Sequence, residues 1–131
     1  MLRPRVNNGE VMDASAVLAL LQREPGADNV RLAGAVMNSV NFAEVVQKSV
    51  ESDRPVDSLL NELTLLGLRV TPFSPEEARL AGELVSVTKP YGLSLADRAC
   101  LATARHLDRV AITADRLWNE IPHGANVRSI R

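Results

Sequence analysis

Short apolar runs of strand length alternate with stretches of helical periodicity from one end of this chain to the other. That alternation restricts its fold more than any other feature. The runs are Val11-Met12, Ala35–Val40, Arg69–Phe73, Val110–Thr113 and Asn126–Ile130. Strand and helix in steady succession argue for a parallel sheet covered on both faces. The expected class is therefore α/β, three-layered, with a central parallel sheet of four to five strands between two helical layers. At 131 residues, with no linker or internal repeat, one domain spanning 1–131 is expected.

The helical segments differ in character. Ser15–Gln22 is almost continuously apolar, which implies burial on most sides. Pro25-Gly26 interrupts the chain, and a short helix is expected over Ala27–Ala33. Phe42, Val45, Val46 and Val50 recur at helical spacing. Val56, Leu59, Leu60, Leu63 and Leu66 make the clearest amphipathic pattern, closed by Gly67. Ser74-Pro75-Glu76-Glu77 is a helix start, with Ala78, Ala81, Leu84 and Val85 as its inner stripe. Lys89–Gly92 is expected to be a loop, Ser94 opens a helix rich in small residues, and Asp115–Ile121 forms a short one.

Composition removes several function classes. Fifteen basic and sixteen acidic side chains leave a net charge of -1, so phosphate binding would have to come from a local patch or from metal ions. The single Cys100 excludes an internal disulfide and a cysteine-based zinc site. With only His106 and His123, zinc-hydrolase motifs are absent too. The longest apolar run, Ala16–Leu21, is far below the roughly 20 residues of a membrane span. Met1–Glu10 form a polar lead without an apolar signal core, so a cytoplasmic protein is expected.

Four acids stand at equivalent places in this scheme. Asp13 ends the first strand, and Glu44 falls in the first turn of the helix after the second. Asp97 falls in the first turn of the Ser94 helix, and Asp115 follows the Val110–Thr113 strand. The carboxyl ends of parallel strands share one edge, where ligands bind, so the four side chains are expected to converge. Each also has a plainer reading. Ser94–Asp97 is a capping-box pattern, Asn41–Glu44 is nearly one, and Asp13 and Asp115 are N-cap candidates. Convergence is costly, because two carboxylates ~5 Å apart repel by ~3 kcal/mol at an effective dielectric of ~20. The chain's two lysines, Lys48 and Lys89, do not directly follow strands. Divalent metal is the natural compensator, and hard Mg²⁺ or Mn²⁺ prefers an all-oxygen set.

VMDASAVLALL (11–21), NSVNFAEVV (38–46), LSLADRACLA (93–102) and VAITADRLWNEI (110–121), in this order, resemble PIN-domain ribonucleases. The likeness is strongest to VapC-type toxins of bacterial toxin–antitoxin operons and runs from about Val11 to Arg131. It implies a PIN-like fold and a Mg²⁺- or Mn²⁺-dependent endoribonuclease whose metal and catalytic residues are Asp13, Glu44, Asp97 and Asp115. Ser15 and Thr113 match its supporting hydroxyl positions, with capping and turn bonding as their plainer roles. It further implies a VapB-type antitoxin partner and an RNA substrate. Met1–Glu10 depart from the family, whose members usually start with the first strand.

Arg98 and Arg116 follow Asp97 and Asp115 and could reach substrate phosphates or pair with a nearby acid. His106 turns away from Asp97 on the same helix, Cys100 reads as helix packing, and Trp118 as core or interface rim. High apolar content in a short chain suggests a homodimer, and no membrane association is expected. A non-catalytic PIN-like module that binds RNA or protein is the competing reading, and retention of all four acids counts against it. A receiver-type phosphotransfer protein would need a second acid beside Asp13 and a lysine after a late strand. Rossmann and P-loop readings fail because Asp13-Ala14-Ser15 stands where glycines belong.

Overall fold

The computed structural model describes residues 9–131; most of the polar lead, Met1–Asn8, lies outside the described residues. The strands are β1 (Val11–Met12), β2 (Val36–Asn38), β3 (Arg69–Thr71), β4 (Ala111–Thr113) and β5 (Val127–Ser129). Among the described residues they form one sheet in the order β3-β2-β1-β4-β5, with every pairing parallel. Val11 pairs with both Val36 and Ala111, and Met12 with Ile112. The helices are α1 (Ala14–Gln22), α2 (Ser39–Glu51), α3 (Leu59–Leu65), α4 (Pro75–Glu83), α5 (Val85–Thr88) and α6 (Leu95–Leu107).

Neighbouring strand residues feed different cores, as strand pleating requires. Met12, Met37 and Ile112 pack with Ala16, Val17, Val45, Leu59 and Leu63, on the side of α1, α2 and α3. Val11 and Ala111 pack with Leu84, Cys100, Leu101 and Trp118, on the side of α4 and α6. The sheet is thus buried on both faces and the three-layer expectation holds. Each large apolar side chain buried there contributes about 1.5–3 kcal/mol. The order of the strands reverses between β1 and β4, and such a switch point opens a crevice at the carboxyl ends of the strands.

Several boundaries differ from the sequence expectation, each for a local reason. β2 stops at Asn38, not Val40, because the Asn38 side chain accepts the Asn41 N–H at 2.8 Å and starts α2 there. The near-capping box at Asn41–Glu44 is therefore not formed, and Glu44 lies in the second turn of α2. Ala27–Ala33 shrinks to a 3₁₀ turn at Ala27–Asn29, after which Val30 and Leu32 enter the core as extended chain. The inner stripe of α4 consists of Glu77 and Ala81, continued by Leu84 just past its end, while Ala78 and, in α5, Val85 are exposed. In α3 only Leu59 and Leu63 are buried, which leaves Leu60, Leu65 and Leu66 on the surface. Gly67 ends α3 as expected; its φ of +95° and the Ala33 Cα, 2.6 Å from where a Cβ would stand, leave room only for glycine. Lys89–Tyr91 forms a 3₁₀ turn. Among the described residues no helix is long and apolar enough to cross a membrane.

Candidate functional site

The sheet edge at the switch point is laced by hydrogen bonds around one carboxylate. Asp13, directly after β1, is buried and caps α1, its Oδ1 accepting the Ala16 N–H at 2.8 Å. Ser15 Oγ donates to the same carboxylate at 2.7 Å, and Thr113 Oγ1, from the end of β4, donates to Oδ2 at 2.6 Å. Those hydroxyls in turn accept the N–H groups of Ala114, at 2.9 Å, and Asp115, at 3.1 Å. The two hydroxyl positions expected from sequence therefore join β1 to β4 through Asp13. Burial pushes the Asp13 carboxyl up to about 6, opposed by these hydrogen bonds and aided by the charge of Asp97.

Asp97 is the third residue of α6. Its Oδ2 accepts the Ser94 N–H at 2.8 Å while Ser94 Oγ accepts the Asp97 N–H at 3.1 Å, so the capping box is formed. Its charge reaches Asp13 on one side and Glu44 on the other. Burial raises the Glu44 pKa first and Asp97 raises it further, while Lys48, one turn along α2, works against both. The buried thiol of Cys100, one turn past Asp97, is pushed up by burial and then by Asp13, Asp97 and Glu44 together. Three of the four acids thus share one electrostatic neighbourhood. Asp115 is tied to it through Thr113, and its Oδ1 caps the 3₁₀ turn Arg116–Glu120 by accepting the Leu117 N–H at 3.0 Å.

Capping is therefore real for Asp13, Asp97 and Asp115. Glu44 is the exception: half-buried, facing a like charge, and capping nothing. Among the described residues no group of three His, Cys, Asp or Glu side chains is placed to hold a metal ion. An all-oxygen, acceptor-rich set of this kind suits a strongly hydrated cation that takes one or two carboxylates and keeps its waters. It does not suit a closed protein cage.

Arg98 is directed at α4, where its Nη1 donates to the Ala81 carbonyl at 2.8 Å. Arg116 is exposed on the 3₁₀ turn beside Asp115, and His106 is exposed as expected. Trp118 is core. His123 Nδ1 accepts the Ala125 N–H, which leaves its Nε2 proton for the Trp118 carbonyl at 2.8 Å.

Sequence reasoning missed two features. A groove of about 340 Å³ beside the site is lined by Ser15, Gln22, Lys48, Ser52 and Arg131, with Glu24 as its acidic member. Its basic residues are distant in sequence, and only the position of Lys48 four residues after Glu44 hinted at it. Asn41, which the sequence offers as the start of a near-capping box, is a buried amide whose Nδ2 donates to the Ala96 carbonyl of α6.

Comparison with known proteins agrees with this architecture. A toxin–antitoxin complex from Klebsiella pneumoniae contains a chain of the same fold (TM-score 0.68, 17% identity, 94% of this chain and 98% of that one). DNA-bound VapBC from Salmonella typhimurium superposes with a TM-score of 0.70 at 15% identity, over 94% and 98% of the two chains. VapBC-1 from nontypeable Haemophilus influenzae gives 0.69 at 18%, over 92% and 97%. At such identities the likeness is one of fold. No curated protein matches the sequence. The PIN domain family model matches residues 11–124, almost the whole of the sheet and its helices. With β1, α2, α6 and β4 all inside the matched span, the chain belongs to the PIN-domain family.

Proposed function

We propose that this chain is a divalent-metal-dependent endoribonuclease, the toxin of a VapBC-type pair, acting in the cytoplasm. The observation that carries the reading is Glu44, a half-buried acid set against the charge of Asp97 with no structural task. An arrangement that costs stability and serves no cap is the mark of a functional site. When bound, Mg²⁺ or Mn²⁺ supplies a water of lowered pKa and stabilises the departing oxygen of a phosphodiester. Asp13, Asp97 and Asp115 hold the cation directly or through water, and Glu44 is a ligand or orients the attacking water. Thr113 and Ser15 keep Asp13 ionised and fixed at neutral pH by donating to it. Lys48 and Arg131 line the groove that opens at Ser15 and receive RNA phosphates there, and Arg116, exposed on the turn after Asp115, is a further candidate contact. Arg98, occupied by α4, acts on the position of α6.

The partner is a VapB-type antitoxin that covers the acids, a reading supported by neighbours of the same fold being described as toxin–antitoxin complexes. Self-association as a homodimer is part of the proposal.

The test is cleavage of a structured RNA with Mg²⁺ or Mn²⁺. Glu44→Gln is the cleanest variant, since it removes a charge and no cap. It should lower the rate by about two orders of magnitude or more, while the melting temperature in EDTA rises as the repulsion from Asp97 is relieved. Cleavage undiminished by EDTA overturns the reading.

A further inference from the structure

α2 is fastened to α6 by two buried amides. Asn41 Nδ2 donates to the Ala96 carbonyl at 2.9 Å. Asn38 Nδ2 donates to the Ala99 carbonyl at 3.1 Å and to Thr103 Oγ1 at 2.9 Å. Residues 96, 99 and 103 recur at helical spacing, so these bonds run along one face of α6. Asn38 Oδ1 accepts the Asn41 N–H at 2.8 Å, which makes the same amide the N-cap of α2.

On this face Ala96 and Ala99 contribute carbonyls, whereas Thr103 contributes a buried hydroxyl that also meets α4. Burial works to raise the Glu77 carboxyl, but the Ser74 N–H and the Thr103 hydroxyl donate to it and hold it below its ordinary value. With its proton committed to Glu77, Thr103 is left to accept from Asn38. The donors Asn41 N–H, Asn38 Nδ2 and Thr103 Oγ1 therefore point one way and end on a buried charge. Hydrogen bonds aligned in series toward an ion strengthen one another. That alignment fixes the Asn38 amide and, through it, the start of α2.

Glu44 lies in the second turn of α2, and Asp97 directly follows Ala96. Their like charges oppose each other at the junction that the amides draw together.

We propose that Thr103 is a positioning residue of the candidate site: it orients Asn38, which seats the first turns of α2 on α6 and keeps Glu44 beside Asp97. The inference rests on Glu44 acting in cleavage, as argued above.

Thr103→Val exchanges the hydroxyl for a methyl group and leaves Asn38 Nδ2 its bond to Ala99, while Thr103→Ser keeps the hydroxyl. In RNA cleavage Thr103→Val should lower kcat about tenfold or more with KM unchanged, as misplacement of a catalytic group does. Thr103→Ser should retain wild-type kcat, and Thr103→Val should cost nothing further in a Glu44→Gln background. Melts in EDTA read the same coupling without cleavage. Glu44→Gln should raise the melting temperature of wild type, and by about half as much or less in Thr103→Val, where the acids are free to part. Should Thr103→Val not fold, Thr103→Ala removes the same hydroxyl and decides. Equal shifts in the two backgrounds, or an unchanged kcat, overturn the inference and leave the nuclease reading standing. Absence of cleavage by wild type overturns both.

Discussion

Asp13 is held between opposing demands: burial and the charge of Asp97 favour its proton, while Thr113, Ala16 and Ser15 favour its loss. Its folded pKa of about 6 lies above the ordinary 3.8, so the folded state holds the proton more tightly than the unfolded chain. That contribution is complete below about pH 4 and is lost as pH rises through about 6, a swing of about 3 kcal/mol. Metal-free wild type should therefore lose stability over this window relative to Asp13→Asn, measured by thermal melts in EDTA. Adding Mn²⁺ at neutral pH should restore about 2.7 kcal/mol at a hundredfold excess over its dissociation constant, in wild type but not in the variant. Asp97→Asn leaves an oxygen for the Ser94 N–H while removing the charge that reaches Asp13 and Glu44. Carbon-13 titration of both carboxyls should then show lower pKa values than in wild type. At this scale much was legible, because Asp13, Ser15, Asp97 and Thr113 act through short-range spacing that a sequence displays. Asn41 was not, since its meaning depends on a carbonyl 55 residues away.

The same contrast governs the elements. α4 and α6 begin where the sequence places them, because Ser74-Pro75-Glu76-Glu77 and the Ser94–Asp97 capping box contain the whole signal within four residues, and in the structure Ser74 and Glu77 close a capping box too. The β2–α2 boundary falls before the one the sequence predicts, because the apolar run continues through Val40 while the deciding residue, Asn38, is itself a strand residue. Its side chain caps α2 and also ties into α6 at Ala99 and Thr103, so helix start and helix packing are set by one amide. Asn38→Ala should cost about 2 kcal/mol or more in urea unfolding, because it loses a cap and buried hydrogen bonds together. A cost below about 0.5 kcal/mol would mean that the α2–α6 junction is held by apolar contacts alone. α3 differs for a related reason: its pattern predicts a wide buried stripe, but only two of its leucines, Leu59 and Leu63, meet the core.

For the whole molecule, the alternation of strand and helix was enough to expect the layers, but strand order and surface consequences were out of reach. Leu65 remains 80% exposed, with Leu60 and Leu66 half exposed beside it on and just after α3. Light scattering at tens of micromolar should give the mass of a dimer, a range in which association weaker than about 7 kcal/mol would show as monomer. The groove carries its own expectation. In a Glu44→Gln background, Lys48→Ala should weaken RNA binding and reduce the slope of log affinity against log salt by about 1, as loss of one phosphate contact does. An unchanged slope would move the RNA path elsewhere.

The bond from Thr113 to Asp13 spans 100 residues of chain. A growing chain displays Asp13 early, yet its Thr113 clamp, and the neighbouring strand that carries it, arrive 100 residues later. Contacts this distant in sequence form late and depend on the whole topology closing. A polypeptide that has not reached β4 holds Asp13 without its Thr113 clamp, so this corner of the site takes shape only after that strand is made.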